Sequence, residues 1–479
     1  MLEMGDVVAV PLPLGGYGAF QVTAAGDHLT VCMLDWRSDA VPALDDLRAA
    51  GPLILDHHAW HGVPQVVNVT ADDPLPDGFV RLGRLPVHPE LPRECHGYGF
   101  WAALGPQVVL QRRWDTEIPA EVRAAYKAAG HGRVEVDLGS ARLVRSTALV
   151  KLDLREHQGE IRWAGLDALP RLTTLSWAGP DRGLAEALSA RPLLSTLTWT
   201  DPPEEVDLSR THLTDLTLHG SAPRRLVLPA GLMKLDLLGE PPEEVVAAAD
   251  GRWVRLTSRR GVPSGLRGVR ALVLEVAGDV PDAALDGLAE LESLRVRWTG
   301  PYGGLDGAGA LPRLHTLELA DAYGMDPSTL PAPGGSLRRL SVDGLRSSRS
   351  KAIKQRYQGS GVVVEVRGAK SDRWLTANID NPLRDWVDDH KRGGAAACTA
   401  YTVAARAIGE LSADDPGAVA DARGILQRFV ATLNGIDEQY SMIDTVRREE
   451  AGEVFHQLAE RAGVPPVEIQ AWFDEWRDF

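Results

Sequence analysis

One short pattern, Leu-x-x-Leu-x-apolar, recurs through the middle of this 479-residue chain and narrows its possible folds more than any other feature. It runs Leu149-Leu152-Leu154, Leu172-Leu175-Trp177, Leu194-Leu197-Trp199, Leu213-Leu216-Leu218 and Leu232-Leu235-Leu237. It resumes as Val269-Leu272-Leu274, Leu291-Leu294-Val296, Leu314-Leu317-Leu319 and Leu337-Leu340-Val342. A degenerate copy at Trp253-Leu256 fills the one double-length gap, so ten starts across 188 residues set a mean period near 21. A strand alternates sides, which sends the leucines to a shared core and the residues between them outward. One such unit cannot bury its apolar side alone, whereas stacked units can.

Over roughly residues 134–366 the chain therefore resembles leucine-rich repeat proteins, whose period is 20–29 residues. The resemblance implies a solenoid of about ten repeats. The family places Asn or Cys at the ninth position, where the side chain bonds turn backbone. Here that slot holds His157, Pro180, Pro202, Ser221, Glu240, Ala277, Thr299, Ala322 and Leu345, so the turns must be held by other means. Leu166 and Leu169, Leu184 and Leu188, and Leu285 and Leu288 predict apolar turns or short helices on the outer side. Trp177 and Trp199 take inward slots as bulky core filling.

The outward strand positions line the expected concave face. They include Lys151, Asp153, Arg155, Thr174, Ser176, Thr196, Thr198, Thr200, Asp215, Thr217, His219, Lys234 and Asp236. Further along come Ser293, Arg295, Arg297, Thr316, Glu318, Arg339, Ser341 and Asp343. This surface is polar, mixed in sign and rich in Thr. It reads either as a solvated β-surface without a ligand or as a protein-binding concavity, the usual use of a solenoid.

Charge divides the chain into three parts. Residues 1–115 hold 7 basic and 14 acidic residues and no Lys; residues 371–479 hold 11 basic and 20 acidic. Residues 116–370 are nearly neutral, and the whole carries −15. Such a balance argues against direct nucleic-acid binding, which needs cations for phosphates. The length exceeds what one core supports, and 44% hydrophobic with 24% charged residues is ordinary globular usage. The expected architecture is multidomain α/β. A small β-rich domain (1–115) precedes the repeat solenoid with its entry segment (116–370) and an acidic α-helical bundle (371–479). Three dispersed cysteines (Cys32, Cys95, Cys398), no signal-like N-terminus and no apolar run of membrane length predict a cytoplasmic protein without a membrane partner.

In the N-terminal part, Val7, Val8 and Val10, then Phe20 and Val22, then Leu29–Leu34 predict strands around a Pro/Gly-punctuated turn. Leu53–Leu55, Val66–Val69 and Phe79–Gly83 continue the series. The opening resembles the polymorphic-toxin immunity family numbered 26, through Gly5, Asp6, Pro11, Gly15, Gly16 and Tyr17, and later Phe79, Leu82, Gly83 and Pro86. The similarity covers 85–110 residues and implies a protein that binds and neutralises a toxin. Asp56-His57-His58-Ala59-Trp60-His61 holds three His within five residues, read as a polar loop, with a zinc site as the alternative. Cys95-His96 invites a thiol-nucleophile reading, but no third orienting group is evident.

From Trp374 the spacing turns helical. Asn381-Pro382 is expected to start a short helix, followed by helices over Ala395–Leu411 and Ala418–Leu433. Another is capped by Ser441 or Asp444, and a last one reaches Trp476. Glu453-x-x-His456, with Glu449 and Glu450 upstream, is half of a di-iron carboxylate signature, and its second half is missing. No phosphate-binding loop, nucleophile elbow or His-Glu-x-x-His motif occurs. The sequence thus predicts no catalytic, cofactor or metal residues. It predicts a protein-binding protein, most specifically an immunity or antitoxin protein that occludes a toxin. Its acidic ends would suit a basic partner. A regulatory or scaffolding repeat protein is the alternative, and an enzyme around Asp56, His57, His61 and Cys95 the last.

Overall fold

The computed structural model describes residues 2–71, 75–76, 78–280, 282–411 and 417–479. The chain forms two compact units. One comprises Met1–Arg297, Leu305–Glu318 and Thr329–Arg339; the other comprises Trp298–Gly304, Leu319–Ser328 and Leu340–Phe479.

The first unit opens with a five-stranded antiparallel sheet. Its spatial order is Val66–Thr70, His28–Met33, Tyr17–Ala25, Asp6–Pro11, Val80–Arg84. Val8 pairs with Phe20, and Val22 with Val31. Both faces are covered, which is why these strands read as nearly continuous apolar runs. Val8, Val10, Phe20, Val22 and Val31 enter one core, while Val7, Ala19 and Cys32 enter another. The turn after Pro11 needs its glycines: Gly15 and Gly16 have φ of +96° and +80°, and a Cβ on Gly16 would sit 2.7 Å from Ser38 O. The Leu53–Leu55 region contributes only a two-residue ladder, Ile54–Leu55 with Val63–Pro64. Two helices that the periodicity did not announce follow, Leu104–Thr116 and Ala120–Ala128. Leu104, Val108 and Val109 of the first fill the same core as Phe20. Gly105 allows its backbone to approach Pro11, since a Cβ there would lie 3.1 Å from Pro11 O.

The repeat region forms a long parallel sheet. Leu152, Leu175, Leu197, Leu216, Leu235, Leu256 and Leu272 pair rung on rung, and all are buried. The degenerate copy supplies a strand of its own, Arg255–Ser258. Trp177, Trp199, Leu218 and Leu237 form a second buried rung. The two indoles also do part of what the missing Asn would do. Trp177 Nε1 donates to Pro180 O at 2.9 Å, and Trp199 Nε1 to Gly179 O at 2.8 Å, so buried N–H groups tie down the turns. Further along, Asp201 Oδ1 accepts from Ser221 N at 2.8 Å, and Ser258 Oγ donates to Gly261 O at 2.6 Å.

The 22-residue step from Leu172 to Leu194 has room for a short helix, Leu184–Ser189. The 19-residue steps that follow Leu194 and Leu213 do not, and they cross back as short strands. Glu205–Asp207, Arg225–Val227 and Glu244–Val246 form a three-stranded parallel sheet with Val206, Leu226 and Val245 in register.

The second unit holds the ends of the strands Ser293–Leu305, Thr316–Ala320 and Arg339–Asp343, the helix Ser347–Arg356 and the strand Val363–Arg367. Helices then dominate: Asp372–Asn378, Trp386–Asp389, Lys391–Gly409, Ala418–Tyr440, Thr445–Arg461 and Pro466–Trp476. Asp444 caps its helix by accepting from Arg447 N at 2.9 Å. Asn381 caps no long helix; its Oδ1 accepts from Leu383 N at 3.0 Å in a turn, and its Nδ2 reaches Cys398 O at 2.8 Å. Leu426, Phe429, Leu433, Phe455, Leu458 and Phe473 share one core. A separate polar clasp packs Arg384 against the edge-on rings of Tyr302 and Tyr323, at 5.5 and 5.6 Å from their centroids, with Asp321 as ion-pair partner. Among the described residues no helix is long and apolar enough to cross a membrane.

Candidate protein-binding face

Residues two apart on a strand share a face, so the parallel register converts the repeat into rows of outward side chains. One row reads Lys151, Thr174, Thr196, Asp215, Lys234, Arg255. The next reads Asp153, Ser176, Thr198, Thr217, Asp236, Thr257. Thr200 and His219 pair in a third. Twelve of the twenty-one outward positions named from the sequence therefore fall on these rows: Lys151, Asp153, Thr174, Ser176, Thr196, Thr198, Thr200, Asp215, Thr217, His219, Lys234 and Asp236. Arg155 lies two residues beyond the strand Lys151–Asp153 and is exposed. Arg295, Arg297, Glu318 and Arg339 lie on later strands of the first unit, and Asp343 belongs to the second.

The face is not uniformly open. Ser176 and Asp236 are buried at 3% and 9% exposure, while the Thr side chains beside them are half-buried. Much of its charge is already matched. Asp153 pairs with Arg155 at 2.5 Å, whose hydrogen bonds hold the Asp153 carboxyl below the usual carboxylate range. Lys234 meets Asp236 at 2.8 Å, and Arg295 meets Glu318 at 3.8 Å. Thr214 Oγ1 donates to Asp215 at 2.7 Å. Such a surface offers hydroxyls and neutralised pairs, which suits area-based recognition and lacks a converging nucleophile and base. The sequence reading missed Arg255 and Thr257 on these rows; the degenerate Trp253 copy was the signal that places them.

His57 and His58 of the Asp56–His61 segment come within hydrogen-bond distance of each other, but among the described residues the segment's three histidines form no metal-ligating group. His57 is buried, and His58 packs against the Trp114 and Tyr126 rings at 5.3 and 5.8 Å. His61 is exposed. His57 Nε2 lies 2.8 Å from Gln107 Oε1 and its Nδ1 3.1 Å from His58 Nδ1, and burial pushes the His57 imidazole below its ordinary value. Burial, with His57 and Lys127 nearby, pushes the His58 imidazole down to about 4. Lys127 reaches Asp56 at 3.2 Å, so the segment closes over the two helices as a packed polar turn.

Cys95 is half-buried, its Sγ 3.3 Å from Val66 O and 3.4 Å from Gly97 O. Burial raises the Cys32 and Cys398 thiols to about 12, far from a reactive thiolate. His456 Nδ1 lies 3.2 Å from Gly452 O, its own helix's backbone. No group of three metal-ligating side chains gathers among the described residues.

No protein family and no curated protein matches this chain. Among solved structures, a leucine-rich repeat protein of Leptospira interrogans aligns at 15% identity, covering 47% of this chain and 78% of that one, with a TM-score of 0.23.

Proposed function

We propose that the chain is a leucine-rich repeat solenoid that binds a protein partner through its outward strand face. The observation that carries this reading is the in-register run of polar rows from Lys151 to Thr257 over an unbroken leucine rung. A stacked core holds those rows rigidly, which lowers the ordering cost of binding. The more specific form is an immunity or antitoxin protein whose N-terminal sheet and acidic ends contact a basic toxin. The opening residues Gly5, Asp6, Pro11, Gly15, Gly16 and Tyr17 and the acidic balance of residues 1–115 and 371–479 support it. A scaffold unconnected with toxins is the second reading, favoured by the matched charges on the face, which impose little demand for one sign of partner.

The test is capture from source cells with the full chain and with the double variant Thr198→Arg, Thr217→Arg. A partner held by the parent and lost with the variant supports face binding. A partner held equally by both places the affinity elsewhere. If the partner arrests growth when expressed alone and co-expression of this chain restores growth, the toxin form stands. Association that is flat between low and physiological salt would remove the charge argument for a basic partner.

A further inference from the structure

The second unit contains a groove of about 710 Å³ whose charge is opposite in sign to the net charge of the chain. One wall is a face of the helix Ser347–Arg356, where Ser347, Ser350, Lys351 and Lys354 recur at helical spacing. The floor includes Val362 and Val364. No carboxylate lines the groove, although the chain carries 66 acidic residues against 51 basic. Lys351 and Lys354 are exposed, and neither has an ion-pair partner among the described residues. Two neighbouring cations behave differently: Arg346, which immediately precedes the helix, pairs with Asp372 at 2.7 Å, and Arg349 within it donates to Gly324 O at 3.0 Å.

The groove also runs beside a strand edge. Val363–Arg367 is last in its sheet's strand order, and no described strand pairs beyond it. Alternation puts Val362 and Val364 toward the groove and Val363 and Glu365 on the opposite face, where Arg367 neutralises Glu365 at 2.8 Å. A free strand edge offers unpaired backbone donors and acceptors, the template for adding one more strand. It lies beside an apolar floor and a cationic rim. These features fit one occupant better than a small anion, which would use the lysines and leave the edge and the valines uncovered.

We propose that this groove receives an extended acidic segment of a partner protein. The segment adds as a further strand to the edge of Val363–Arg367, sets alternate apolar side chains over Val362 and Val364, and places its carboxylates at Lys351 and Lys354. The site does not depend on the toxin reading; it asks for a partner sequence in which acidic and apolar residues alternate.

The test uses the full chain and a fluorescein-labelled peptide of alternating valine and aspartate, followed by anisotropy. Saturable binding is expected. The Lys351→Glu, Lys354→Glu pair should weaken it about tenfold or more, and raising salt should weaken it further. Both lysines are exposed, so the variant keeps its core. A peptide N-methylated at alternate residues should also lose about tenfold, because it keeps its charge and loses strand hydrogen bonds. Equal binding of the methylated peptide, or full displacement by tripolyphosphate at equivalent charge, would overturn strand addition in favour of an anion site. Absence of saturable binding at millimolar peptide would overturn the proposal outright.

Discussion

The strands of the N-terminal sheet and those of the repeat are built from similar β-branched and aliphatic residues, yet they use their faces differently. In the N-terminal sheet Val7 and Val8 enter two separate cores, and Thr30 and Asn68, hydrogen-bonded at 2.9 Å, are buried between strands. In the repeat, Leu197 is buried while Thr196 and Thr198 beside it remain half-exposed. The difference separates a sheet buried on both faces from one that leaves a polar side at the surface. A sheet covered on both sides spends its faces on stability, whereas a stacked one-sided sheet keeps a broad polar surface free.

The largest expected effect lies on the buried side of the repeat. Leu197→Ala should cost about 2–5 kcal/mol in denaturant unfolding, because the cavity sits between rungs that cannot collapse independently. A loss below ~1 kcal/mol would show that the rung is loosely packed and would weaken the contrast with Thr198. In the N-terminal sheet, Asp6 is fully buried and accepts from Glu3 N at 2.7 Å and Arg81 at 2.8 Å. Burial pushes its carboxyl up, but these bonds outweigh it and hold it below the usual range. Asp6→Asn should cost about 1–3 kcal/mol at neutral pH. Its contribution is present above the unfolded carboxylate range and fades as pH falls through the lower folded value, so parent and variant should converge in acid.

A smaller, pH-dependent effect belongs to His58. Its folded pKa lies below that of an unfolded histidine, so the unfolded chain takes up the proton first. Stability should therefore fall as pH drops below about 6.5 and continue to fall toward about 4. His58→Asn should flatten that slope, and Asn tolerates the φ of +48° at this position. An unchanged slope would assign the acid sensitivity to other groups. The smallest stability effect is expected on the outward rows: Thr198→Ala should shift unfolding by no more than ~0.5 kcal/mol. A larger loss would mean that the face is part of the packing, leaving it less free to recognise a partner.

Much of this contrast was legible before any coordinates. The leucine rung, the strand at the degenerate Trp253 copy and a cap at Ser441 or Asp444, of which Asp444 is the one that forms, follow from local spacing and local hydrogen bonding. The helix Leu104–Thr116 was not legible, because its weakly periodic surface gains order from packing on Phe20 and its neighbours far away in sequence. Nor could the sequence say that Asp153 and Lys234 are already paired, which softens the electrostatic demand of the candidate face. The histidine segment was read as an open polar loop, whereas His57 and His58 are packed against Gln107, Trp114 and Tyr126.

By itself, the sequence determined the 21-residue rhythm and with it strands with one apolar and one polar side, because side-chain alternation is a property of each strand alone. Only the tertiary structure decided how the turns are held without Asn, with the indoles of Trp177 and Trp199 donating to turn carbonyls. It also decided which lysines stay unmatched beside a free strand edge. These outcomes depend on which distant groups meet and which are left to water, and no local pattern of residues encodes that.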